Sequence, residues 1–76
     1  MTNLIGFSHR LKIRAADSIE ELDAIVDNLT AMCGVPPRDK ECEPFASVAR
    51  RVRSISPVAA DHIEVAHERR AKLEAP

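Results

Sequence analysis

The stretch that opens at Ser18 constrains this chain most. Ser18 is followed three residues later by Glu21, the spacing of a capping box, in which a hydroxyl and a carboxylate satisfy the open backbone N–H groups of a helix start. At about 100° per residue, Leu22, Ile25, Val26, Leu29, Met32 and Cys33 share one stripe, with Glu20, Asp23 and Asp27 opposite. Gly34 then offers the left-handed conformation that closes a helix. An amphipathic helix over 19–33 is predicted, and its apolar face must be buried against other elements.

Two interruptions divide the chain beyond this helix. Residues 34–43 form a polar loop carrying Pro36 and Pro37, and 54–57 a tight break ending in Ser56-Pro57. Between them a second helix is predicted over 44–54, opened by Pro44, with Phe45, Val48, Ala49, Val52 and Ile55 as its apolar stripe. A third is predicted over 57–73, capped by Ser56. Its broad, shallow apolar face is Val58, Ala59, Ile63, Val65, Ala66 and Leu73.

Residues 1–16 read two ways. As a helix, Leu4, Phe7, Leu11 and Ala15 stack on one face, while Ile5 and Ile13 point elsewhere. As a strand, Ile5, Phe7, His9, Leu11 and Ile13 alternate with polar or small residues, and this alternation is the better fit. A lone strand, however, needs another chain to satisfy its backbone.

The expected fold is therefore all-α: one domain over 1–76 with three or four helices, its N-terminal arm (1–16) open between extended and helical. Seventy-six residues with eleven Ala, two Phe and no Tyr or Trp make only a thin core. No apolar run approaches a membrane span, and Met1–Ile13 interleaves His9, Arg10 and Lys12 with its apolar residues, unlike a signal peptide. A cytoplasmic chain with two reduced thiols is expected.

Chemistry finds little purchase. Cys33 and Cys42 lack zinc-site spacing, and His62 and His67 lie about 140° apart on a helix, so no metal or cofactor is expected. His62 reads instead as a core-edge residue with one hydrogen bond. Cys33 falls on an apolar stripe and Cys42 between two glutamates, poor settings for a nucleophile. With only Gly6 and Gly34 there is no phosphate-binding loop, and no catalytic residues are assigned. The chain is not expected to be an enzyme.

Binding remains. On a strand, Arg10, Lys12 and Arg14 would share one face ahead of two helices, the order of a dimeric ribbon-helix-helix DNA-binding repressor. The long 34–43 loop and the surplus third helix count against that alternative. A protein partner is favoured, because a net charge of −1 conceals blocks: +3 over 10–14, −5 over 17–27, +3 over 50–53, −3 over 61–68 and +3 over 69–72. The arginines of 50–53 could pair with the acidic face of the 19–33 helix. The expected partner-binding residues are Leu4, Ile5, Phe7 and Leu11 as apolar anchors, with Asp23, Asp27, Arg50 and Arg51 as rim charges.

The size of the chain, its capped helix from Ser18 to Val26, the segment Val48-Ala49-Arg50-Arg51-Val52 and the helix at Ser56-Pro57 resemble the QseM-type antiactivators of rhizobial integrative and conjugative elements. The resemblance implies a helical protein that binds transcriptional activators, a LuxR-type quorum sensor and an activator of excision, and blocks them. It carries over no set of functional residues.

Overall fold

The computed structural model describes residues 7–39 and 41–75. These form four helices: α1 (Phe7–Ala15), α2 (Ile19–Met32), α3 (Phe45–Arg53) and α4 (Pro57–Glu74). There is no strand among the described residues. The all-α expectation is met, with the arm helical rather than extended over Phe7–Ala15. A helix satisfies its backbone internally, whereas a strand here would have no neighbour to pair with.

The local signals act as their chemistry dictates. The Ser18 hydroxyl accepts from the Glu21 N–H at 3.2 Å, and the Ser56 hydroxyl accepts from the Ala59 N–H at 3.2 Å. At the end of α2, Gly34 takes φ 74°. Its N–H donates to Ala31 O and that of Val35 to Thr30 O, both at 3.1 Å, which is the Schellman closure. Pro44 is the N-cap of α3 rather than its first helical residue.

α4 packs against each of the other helices, most extensively against α3. The core between them consists of Leu22, Val26 and Leu29 from α2, Phe45, Val48, Ala49 and Val52 from α3, and Ala59, Ala60, Ile63 and Ala66 from α4. Ile13 of α1 and the adjacent Ala16 complete it. The small residues of α4 let three helices crowd around one, so a thin core still closes. Three predicted stripe members stay outside: Met32, Ile55 and Val58 are exposed. Each lies at or near a helix end, where nothing packs over it.

The 34–43 loop is tied down by a side chain that local patterning missed. Arg38 is buried; its guanidinium pairs with Asp23, donates to Glu43 O at 2.6 Å and lies 4.6 Å over the Phe45 ring. Arg51 grips Glu43 through Nε and Nη2 at 2.8 and 2.9 Å and reaches Pro36 O. Those contacts hold the Glu43 carboxyl below the usual range. Asp23 and Arg51, expected as rim charges, therefore serve inside the chain. The expected pairing of the 50–53 arginines with α2 is also replaced: Arg53 bonds Asp61 at 3.3 Å and Glu64, both on α4. These partners lie closer along the α3–α4 hairpin than the acidic face of α2 does in sequence.

Candidate functional site

Among the described residues, α1 presents an exposed outer face beside a buried inner one. Ile13 is fully buried, and Leu11, two residues away and about 160° around the helix, is 49% exposed. The inward side of α1 is thus Ile13 with the half-buried His9 and Arg10, while Leu11 and Ala15 of the expected helical stripe face solvent. Of the other expected anchors, Leu4 and Ile5 lie outside the described residues, and Phe7 is the first backbone position of α1.

Two polar ties hold α1 against α4. Arg69 donates from Nε and Nη2 to Ala16 O at 3.1 and 2.9 Å, stapling the chain just beyond the end of α1. Arg10 donates from Nε to His62 Nδ1 at 3.3 Å. His62 is 5% exposed, and its ring stacks on His9 with centroids 6.5 Å apart and planes 20° from parallel. Burial, then Arg10 and then His9, push its pKa below the ordinary 6.5, against a weaker opposing pull from Asp61. His62 is therefore neutral at pH 7, which is the form that can accept from Arg10. The core-edge reading with one hydrogen bond fits this geometry.

Between α1 and α4 lies an open cleft of about 480 Å³, lined by Arg10, Arg14, Val65, Glu68, Arg69 and Lys72. It brings the basic block of 10–14 beside that of 69–72, a meeting that no local pattern foretold. Lys12 does not take part; it lines a smaller hollow of about 190 Å³ between α1 and α2, with His9 and Ile25. The helix thus divides the three bases that a strand would have aligned, and the ribbon reading loses its geometry over 7–15. A third cavity, about 310 Å³, runs along Arg38, Glu43, Phe45, His67 and Arg70. Its charges are already spent on structure, since Arg38, Glu43 and Arg70 have partners within the chain.

The remaining expected rim residues are dispersed: Arg50 is exposed on α3 and Asp27 half-buried on α2. Cys33 and Cys42 are free thiols, and burial raises the pKa of Cys33. Among the described residues, no three His, Cys, Asp or Glu side chains gather as metal ligands would, and no helix is long and apolar enough to cross a membrane. No protein-family model, curated protein or solved structure matches the chain.

Proposed function

We propose that this chain is a protein-interaction module that binds a transcriptional activator and inhibits it, as an antiactivator in quorum-sensing control of conjugative transfer. The observation that carries the reading is Leu11, half exposed on the outer face of a helix whose inner face is locked to the core. An apolar side chain held on a supported helix costs little to order when a partner covers it. Inhibition then works by occlusion: the activator surface that α1 covers is denied to DNA or to polymerase. Support for the kind of partner comes from the resemblance in size and helical layout to QseM-type antiactivators.

The test is co-purification with a LuxR-type quorum-sensing activator and with an excision activator. Capture of either by the wild type, lost in Leu11→Asp with an unchanged helical circular-dichroism spectrum, is the expected result. Full capture by Leu11→Asp would remove Leu11 as the anchor. Failure of the wild type to capture either activator would overturn the antiactivator reading.

A further inference from the structure

We propose that the cleft between α1 and α4 binds an acidic segment of the partner protein, a stretch of Asp and Glu with an interspersed apolar residue; this rests on the protein-binding function proposed for the chain. The cleft presents four cations, Arg10, Arg14, Arg69 and Lys72, against the single carboxylate of Glu68. Two of the cations are already positioned. Arg10 is held through Nε by His62, and Arg69 through Nε and Nη2 by Ala16 O. Holding a guanidinium before the ligand arrives removes part of the ordering cost and leaves the Nη groups of Arg10 as donors for a carboxylate. Arg14 and Lys72 are exposed and complete the rim.

Glu68 forms no ion pair with these cations among the described residues, so the positive field of the cleft is not cancelled internally. Val65 lines the same cleft and gives it an apolar wall among the cations. That mixture suits a peptide carrying both carboxylates and an apolar side chain better than a sugar-phosphate backbone. Net charge argues the same way. The chain totals −1, and Asp17, Glu20 and Glu21 are at least partly exposed at the start of α2, the helix that follows α1. These acids begin just beyond Ala16, whose carbonyl Arg69 holds, and disfavour a long polyanion running past the cleft.

Fluorescence anisotropy on the full chain tests this with three labelled probes: a short peptide of glutamate with interspersed leucine, its glutamine counterpart, and single-stranded oligothymidine of matching charge. The glutamate peptide should bind, weaken as salt rises, and shift the amide NMR signals of Arg10, Arg14, Val65, Arg69 and Lys72. Arg14→Ala with Lys72→Ala should weaken it about tenfold, as two exposed cations lost together. These two residues are chosen because neither holds α1 in place. Glu68→Gln should tighten binding roughly threefold by removing a like charge.

Equal binding by the double variant, or signal shifts elsewhere, would overturn the proposal. Preference for oligothymidine at the cleft would reassign it to nucleic acid. A salt-sensitive dimer in sedimentation, abolished by the double variant, would give the cleft to the acidic face of a second copy. Activator capture is not read in this assay, so a negative result leaves the antiactivator reading to the Leu11→Asp test.

Discussion

α1 and the α3–α4 hairpin are attached to the same core by different means. The hairpin buries Phe45, Val48, Ala49 and Val52 against Ala59, Ala60, Ile63 and Ala66, a continuous apolar seam closed by a short turn. Among the described side chains of α1, Ile13 is the large apolar one in that core, and the helix is further tied by Arg69 to Ala16 O and by Arg10 to His62. Apolar burial is nondirectional and accumulates with area, so the hairpin tolerates small shifts. Hydrogen bonds depend on distance and direction, and of these two ties the one accepted by His62 also depends on protonation.

Phe45→Ala should break the hairpin side of this contrast. Phe45 is fully buried beneath two guanidinium groups, with Arg38 and Arg70 at 4.6 and 5.4 Å from its ring centroid. Its truncation is expected to cost about 3–5 kcal/mol and to lower stability globally in chemical denaturation. A smaller loss, confined to the 34–43 loop, would mean that the hairpin is less dominant than its core suggests.

Ile13→Ala tests the other side, at about 2 kcal/mol. Amide exchange should accelerate over 7–15 while the slowest amides of α3 and α4 keep most of their protection. Uniform loss of protection across all four helices would show α1 to be part of the same cooperative unit.

The smallest effect is the dependence on pH. The folded pKa of His62 lies below its ordinary 6.5, so the unfolded chain binds a proton more readily. This contribution to stability is complete above about pH 6.5 and declines as pH falls toward the lowered folded value. Protonation also removes the Nδ1 lone pair that accepts from Arg10 and places a cation beside Arg10 and His9. Exchange over 7–15 should therefore rise below about pH 6.5 before that of α3, and His62→Gln should flatten the dependence. An unchanged profile in His62→Gln would detach α1 from this histidine.

Much of the fold was legible because it is encoded over a few residues. Ser18 with Glu21, Gly34 closing α2, and Ser56 with Pro57 all act on backbone groups within a single turn, and all appear where their chemistry places them. Periodicity picked out Leu22, Val26, Leu29, Val48, Val52 and Ile63 for the core, and they are buried. It failed at the margins, where Met32, Ile55 and Val58 share a stripe but find nothing to cover them. It also failed at α1, because alternating Phe7, His9, Leu11 and Ile13 suits a strand only if another strand lies beside it.

The candidate site was far less legible. The cleft joins residues 10 and 14 to residues 65–72, and its two ties, Arg10 to His62 and Arg69 to Ala16, span separations of 52 and 53 residues. Asp23 looked like a surface charge on the outer face of an amphipathic helix, yet it is the partner of buried Arg38 from fifteen residues away.

The residue order alone dictated three helices and, to within a residue, their limits, since caps, glycine closure and apolar periodicity are short-range and compete with few alternatives. Chain packing settled the rest: that residues 7–15 coil rather than extend, that Ile13 turns inward and Leu11 outward, and that two basic blocks face one cleft. Those outcomes depend on which surfaces remain to be covered once α2, α3 and α4 have met. That is a property of the assembled chain, and no single segment carries it.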